Sequence, residues 1–344
     1  MSNRRINIVH TVLFATLSIV ALALAFADLM IGTTEVAAAD VWSALIGKAE
    51  SVQHEMIVCH MRLPKVIVAI LAGMALSVAG LEMQTLFRNP LAGPYVLGIN
   101  SGASLGVALF TMALPLLGAT AGGGLMRLGI TGMAWIGSAA ILLLVMMLSR
   151  RIKNINIILI IGMMLGSAIS AVVGILQYIG TEESLKTFMI WTMGSLATVT
   201  LADIYLIAPI VIVGLLLALA AGKSLNMLLL GESYARTMGL RVGLSRGIIF
   251  LSTTLLAATL TAFCGPIGFI GLAMPHLARI TFRTANHRTL LPATMLWGAV
   301  AMLLCCVVCD IVAHRGIMLP INTITSLLGV PIIIFVVLRN RNRQ

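Results

Sequence analysis

The chain has 344 residues, of which 60% are hydrophobic and only 10% are charged, and its mean hydropathy is +1.09. A soluble domain carries roughly a quarter charged residues, so the charged residues here are too few to cover a surface in water. The formal net charge is nevertheless +11. The composition therefore excludes an ordinary soluble domain and indicates a protein whose exterior faces lipid.

Long stretches of the chain contain no Asp, Glu, Lys or Arg, namely 89–126, 155–181, 247–278, 289–309 and 316–338. Each stretch can cross a hydrocarbon core about 30 Å thick, which takes roughly 20 residues of α-helix. The stretches do not alternate between apolar and polar residues, as the strands of an outer-membrane barrel do. The sequence therefore predicts an all-α, polytopic membrane protein that forms a single transmembrane domain over residues 1–344.

About ten membrane helices are predicted, in chain order 9–30, 65–87, 95–117, 125–148, 155–179, 204–221, 245–263, 268–280, 290–312 and 321–338. The first apolar stretch is longer than the roughly 7–15 residues of a signal-peptide core, so it is interpreted as an uncleaved membrane helix. The eighth helix is short and follows Gly265-Pro266. A short helix at membrane depth needs protein or a water-filled path around it, which predicts an interior position.

The basic residues predict the orientation of the chain. With a cytoplasmic N-terminus and ten spans, sixteen of the 22 Lys and Arg residues lie on the cytoplasmic side, as positive-inside loops require. Both termini are basic, which requires an even number of crossings. Topology thus explains the net charge, and no nucleic-acid partner is predicted.

Small residues recur at every fourth position in the third and fifth predicted helices: Gly98, Gly102 and Gly106, and then Gly162, Gly166, Ser170 and Gly174. This spacing places them on one ridge of each helix, where another backbone can approach closely. Close helix packing explains both ridges. The alternative is that the ridges border a wide path for a bulky solute.

Motifs for catalysis or nucleotide binding are incomplete. Gly222-Lys223-Ser224 resembles the end of a phosphate-binding loop, but Leu217 occupies the position of the first glycine and no strand precedes it. His54 and His60 are six residues apart, whereas a zinc protease motif requires four. No cluster of His, Cys or carboxylates is suited to iron. We therefore predict no catalytic residue, metal site or cofactor in this chain, and no ATP hydrolysis by it.

Ionisable residues are scarce within the predicted helices. Glu82, Asp310 and Asp28 lie near helix ends, whereas ion-coupled carriers usually place such groups near the membrane midplane. An uncharged interior favours transport that is driven by another protein.

The connection from Lys223 to Arg246 is the longest predicted on the cytoplasmic side. Breaks at Gly231 and Gly239 predict two short helices that lie on the membrane face. Such helices suit either an interfacial amphipathic anchor or a docking element that fits a groove on a cytoplasmic partner.

Within this connection, residues 230–240 resemble the coupling loop of the FecCD, or BtuC-like, permeases of ABC importers for iron-siderophores, haem and cobalamin. Further blocks resemble the family in the same order along nearly the whole chain: 62–65, 83–92, 97–103, 191–195, 265–272, 275–279, 319–321 and 328–331.

The resemblance implies a ten-helix permease of the BtuC-like fold in the bacterial inner membrane, with both termini cytoplasmic and lipid around it. It implies a homodimer that works with two copies of a cytoplasmic ABC ATPase, which binds ATP and Mg²⁺, and with a periplasmic solute-binding protein. The implied solute is an iron chelate, haem or cobalamin. The alternatives are an oxyanion such as molybdate with the same architecture, or a secondary carrier or channel that is independent of ATP.

The resemblance also assigns residues to three sites. The ATPase-coupling loop contains Leu230, Gly231, Glu232, Ala235, Arg236 and Gly239. Arg62 and Lys65 match basic positions that dock the binding protein, and the third docking position falls to His314 or Arg315, because the family's Ala-Asp-x-x-Ala-Arg reads Cys-Asp-Ile-Val-Ala-His at 309–314. The cytoplasmic gate contains Asn154, Ile155 and Asn156. Glu82 departs from the family pattern and is interpreted as a snorkelling or paired carboxylate at the headgroup level.

Overall fold

The computed structural model describes residues 3–49, 51–114, 123–152 and 154–341, and within these ranges all regular structure is helical. The helices are α1 (Asn3–Met30), α2 (Ala38–Leu45), α3 (Val52–Leu86), α4 (Ile99–Ala113), α5 (Gly123–Arg151), α6 (Ile155–Ile179), α7 (Glu182–Met193), α8 (Leu201–Leu229), α9 (Glu232–Thr237), α10 (Val242–Cys264), α11 (Ile270–Phe282), α12 (His287–Ala313) and α13 (Ile321–Arg341). The predicted all-helical class is confirmed. Lys153 and Arg343, two of the sixteen basic residues assigned to the cytoplasmic side, lie outside the described residues.

Seven of the described helices are long and apolar enough to cross a membrane: α1, α3, α5, α6, α8, α10 and α12. The other three predicted spans coincide with the shorter helices α4, α11 and α13. The expected number of about ten crossings therefore stays a prediction. The total depends on whether α4, α11 and α13 also cross the membrane.

Several predicted helix limits were wrong. Helix α3 begins at Val52 and has 35 residues; it passes through a π-helical stretch at Met56–Arg62, so Lys65 lies inside a helix rather than at its start. Helix α8 continues to Leu229, because no Gly or Pro interrupts the chain between Gly222 and Gly231.

Helices α2 and α7 were not predicted, because both are short and carry charged residues that lower their hydropathy. For α7 a local signal was present. The side chain of Thr181 accepts a hydrogen bond from the backbone N–H of Ser184, the usual arrangement of a helix N-cap.

The helices form two groups, which are described separately. Unit 1 contains Met1–Val78, Ser195–Pro209 and Gly268–Gln344, and unit 2 contains Ala79–Gly194 and Ile210–Ile267. In unit 1, α12 packs against α1, α11 and α13. Helix α3 meets α12 at Gly73 and Gly298, where a Cβ atom on either glycine would overlap the carbonyl group of the other. These two glycines therefore allow backbone-to-backbone contact between α3 and α12.

In unit 2, α4 packs against α5 and α6. Gly102 and Gly106 of the α4 ridge lie directly against the backbone of α5, so close packing explains this ridge. The ridge on α6 differs along its length. Gly162 contacts the backbone of Val96, whereas none of the residues that the structure describes lies against Gly174, and part of the ridge lines a groove of about 470 Å³.

Candidate functional site

The predicted coupling loop forms one short helix, α9, between two sharp turns. The prediction of two short helices was wrong, since the first of them is the end of α8. Gly231 and Gly239 have φ angles of +103° and +83°, a region that glycine enters without steric cost. The two glycines therefore set α9 off from the long helices on either side.

Helix α9 has a buried side and an exposed side. Ala235 is fully buried, while Tyr234 is 57% exposed and Arg236 is also exposed; Leu230, just before the turn at Gly231, is 60% exposed. This pairing of an inward alanine with outward apolar and basic side chains leaves a surface that suits contact with another protein.

Arg246, in the second turn of α10, holds α9 in place. Its side chain is buried, its Nε donates a hydrogen bond of 2.9 Å to Oε1 of Glu232, and its Nη2 contacts the same oxygen. Its Nη1 donates to the backbone carbonyl of Ile152 at 3.3 Å. One guanidinium group thus connects α9 to the chain segment that precedes the predicted gate. The sequence analysis did not single out Arg246 as a site residue, because its partner and its burial depend on the fold.

The predicted gate residues lie at the start of α6. Asn154 is the N-cap of this helix, and its side chain accepts a hydrogen bond of 2.9 Å from the backbone N–H of Asn156. Asn154, Ile155 and Asn156 line a cavity of about 490 Å³ that Glu232 also lines. The structure thus brings the predicted gate and one predicted coupling residue to the same cavity.

Arg62, a predicted docking residue, is buried in unit 1. Its Nη1 donates hydrogen bonds to the carbonyl oxygens of Leu29 and Met30, at 2.8 and 2.9 Å, and its Nη2 contacts the carbonyl oxygen of Thr34. The last carbonyls of a helix have no partner within the helix and carry partial negative charge. Arg62 therefore caps the C-terminal end of α1.

Lys65, the second predicted docking residue, lies between two carboxylates. Its Nζ is 2.9 Å from Oδ1 of Asp28 and also contacts Oδ2 of Asp310. The three side chains come from α3, α1 and α12 and are 11%, 0% and 18% exposed, respectively. We call these three residues the acidic clamp. The sequence analysis noted each carboxylate separately, but their association with Lys65, which for Asp310 spans 245 positions, leaves no sequence signal.

His314 and Arg315 lie together at the end of α12, and both are exposed. The imidazole Nε2 of His314 is 3.9 Å from Oε1 of the exposed Glu35. Both side chains are therefore accessible at the surface, unlike those of Arg62 and Lys65.

Glu82 is fully buried in unit 2. Its Oε2 accepts hydrogen bonds from the hydroxyl groups of Ser252 and Thr253, at 3.0 and 2.9 Å. The snorkelling interpretation is therefore wrong, because a snorkelling side chain extends its charged end to the surface. A buried carboxyl group with hydroxyl partners joins α3 to α10.

Comparison with known proteins identifies the family. The family model of the FecCD transport family matches residues 19–339. The chain belongs to the FecCD transport family. The motifs at 62–65, 83–92 and 230–240 lie within the matched range, so the predicted family is confirmed.

Two curated relatives and one solved structure are similar over most of the FecCD-family chain. The hemin transport system permease protein HmuU of Yersinia pestis is 36% identical over 83% of this chain and 84% of the relative. The vitamin B12 import system permease protein BtuC of Salmonella typhi is 36% identical over 84% of this chain and 86% of the relative. The solved structure, described as an inward-facing conformation of a putative metal-chelate type ABC transporter, has a TM-score of 0.81 at 31% identity and covers 96% of this chain and 99% of that one.

Within the described part of this FecCD-family chain, no three His, Cys, Asp or Glu side chains group in a way that could hold a metal ion. His276, which follows Pro275 on α11, is buried. Its surroundings suit a packed histidine.

Proposed function

We propose that this chain is the permease subunit of an ABC importer for an iron chelate, haem or cobalamin. The observation that carries the proposal is α9, a short helix that two glycines set apart and whose exposed face matches the coupling-loop motif of the family. The similarity to a hemin transport permease and a vitamin B12 import permease supports the solute class. The similarity to a metal-chelate type ABC transporter supports the same class.

In this proposal the permease spans the bacterial inner membrane ten times, with both termini in the cytoplasm, and works as a homodimer. A separate ABC ATPase, in two copies, binds the exposed face of α9 through Tyr234 and Arg236, together with Leu230 beside it. Closure of the ATPase on ATP moves α9, and the movement opens or closes the gate at 154–156. The chain itself supplies the path for the solute.

A periplasmic binding protein selects the solute and docks on the outer side. His314 and Arg315 are exposed and suit this contact directly. For Arg62 and Lys65 the docking role stays a prediction, and the structure gives both residues a second role inside unit 1, where one caps α1 and the other completes the acidic clamp.

The test is uptake into vesicles that contain the permease together with its ATPase. We expect uptake of the solute from its binding protein only when ATP is supplied on the side of the vesicle membrane where the ATPase is bound. Uptake without ATP would instead indicate a secondary carrier or channel. A ligand-binding assay on the binding protein, with a ferric siderophore, haem, cobalamin and molybdate as probes, then identifies the solute.

The coupling role of α9 has its own test. Arg236→Glu reverses an exposed charge on the proposed ATPase surface, so we expect it to weaken the complex with the ATPase at least tenfold. Lys186→Glu, which reverses another exposed charge on α7, is the matched control and should leave the complex unchanged. Equal affinity of both variants for the ATPase would refute the role of α9.

A further inference from the structure

We propose that Arg246 is the positioning residue that transmits movement of α9 to the cytoplasmic gate. The inference rests on the proposed function, in which the ATPase binds α9 and residues 154–156 form the gate. It adds the physical connection between them, a chain of contacts from Glu232 through Arg246 to Ile152, which we call the α9–gate link.

The contacts of Arg246 are directional. The guanidinium group is planar and its donors keep fixed relative directions, so Nε and Nη2 engage Oε1 of Glu232 while Nη1 engages the carbonyl of Ile152. Hydrogen bonds in which both partners are charged are roughly twice as strong as neutral ones. When Glu232 moves with α9, the guanidinium group must turn or shift with it, and its bond to Ile152 changes in the same movement.

The position of Ile152 makes this bond relevant to the gate. Ile152 directly follows α5, and two positions later Asn154 caps α6. Only one residue separates Ile152 from Asn154 in the sequence, so a displacement at the carbonyl of Ile152 is passed to Asn154. Glu232 lies at the other end of the link and lines the same cavity as Asn154 and Asn156.

The surroundings of Arg246 allow such a movement. The side chains of Arg246 and Glu232 are 4% and 21% exposed, so salt in the solvent screens their attraction less than that of a surface pair. A cavity of about 660 Å³ adjoins the link and is lined by residues that include Ile152, Arg236 and Arg246. The link is therefore little screened by salt and has a cavity beside it into which its side chains can move.

The experiment uses the full permease with its ATPase in vesicles and compares Arg246→Lys with the natural chain. Lysine keeps the charge and the pairing with Glu232 but lacks the planar fork that reaches Ile152 at the same time. Three quantities are measured: affinity for the ATPase, ATP hydrolysis and solute uptake. We expect affinity and hydrolysis to stay within about twofold, while the solute taken up per ATP falls about tenfold.

The control is Arg288→Lys, the same change at an exposed arginine of α12, for which all three quantities should stay unchanged. A second readout is the distance between spin labels at Ser233 and Asn156, which should change on ATP addition in the natural chain and not in Arg246→Lys. If Arg246→Lys does not fold, Glu232→Gln is tested for the same loss of uptake per ATP.

Two outcomes overturn the link. Uptake per ATP equal to that of the natural chain shows that the gate does not depend on Arg246. Loss of ATPase affinity in Arg246→Lys shows that this residue supports docking instead. Failure of the proposed function is distinguishable from both, because it appears in the natural chain as uptake that is independent of ATP.

Discussion

Substitution of Lys65 by methionine tests the acidic clamp. Methionine has a similar length and fills a similar volume, but it removes the one positive charge of the clamp, which lies 2.9 Å from Oδ1 of the fully buried Asp28. Removing one partner of a buried ion pair costs about 3–5 kcal/mol, because the other charge is left without compensation. Since Lys65 faces two carboxylates, their mutual repulsion adds to this cost, and we expect a loss in the upper part of that range.

The clamp predicts how the unfolding free energies of several variants compare, as well as the size of the loss in Lys65→Met. Asp310→Asn leaves Lys65 paired with Asp28 and removes the repulsion between the two carboxylates, so it should change the free energy of unfolding by no more than about 1 kcal/mol. The double variant Lys65→Met with Asp28→Asn contains no uncompensated charge at the buried position. It should therefore recover at least half of the stability that Lys65→Met loses.

The assay is unfolding of the purified permease in detergent, with Lys186→Met as the control because Lys186 is exposed on α7. The control should stay within about 0.5 kcal/mol of the natural chain. A loss below about 1 kcal/mol for Lys65→Met, or a double variant that is no more stable than Lys65→Met alone, refutes the clamp.

The same unfolding measurement checks two further predictions, and hydrogen exchange checks a third. Glu82→Gln keeps an acceptor for the buried hydroxyl of Thr253 and should stay within about 1 kcal/mol of the natural chain, whereas Glu82→Leu removes this acceptor and should cost about 1–3 kcal/mol; equal stability of the two variants contradicts the pairing. Gly298→Ala places a methyl group against the carbonyl of Gly73 and should cost about 1–3 kcal/mol, and no loss means that the two helices do not touch there. Asn154→Ala removes the N-cap of α6 and should weaken the first turn by about 1 kcal/mol, seen as faster amide exchange there and nowhere else in α6.

Composition was enough to predict the helical class, because an exterior that faces lipid leaves few ways to satisfy backbone hydrogen bonds. It did not predict α2 and α7, whose charged residues hide them from a hydropathy pattern. The limits of α3 and α8 were also missed, since continuous helix costs little where no glycine or proline interrupts it.

Only part of the candidate site was predicted from the sequence, namely the part whose residues are neighbours in the chain. The residues of α9 and the gate came from motifs that are contiguous in sequence. Arg246 and the acidic clamp depend on side chains that are far apart in sequence: Lys65 and Asp310 are separated by 245 positions, and Arg246 and Ile152 by 94. Contacts of this kind arise from packing of helices and leave no local pattern.

The burial of Lys65 has a consequence for any docking measurement that alters it. A contact between exposed charges on two proteins weakens as ionic strength rises, whereas a buried ion pair responds little. Binding of the periplasmic protein to the proposed docking surface at His314 and Arg315 should therefore fall steadily with added salt, while any loss caused by opening the acidic clamp should be the same at every salt concentration. A titration with salt thus separates a residue that meets the partner from one that only holds α1, α3 and α12 together.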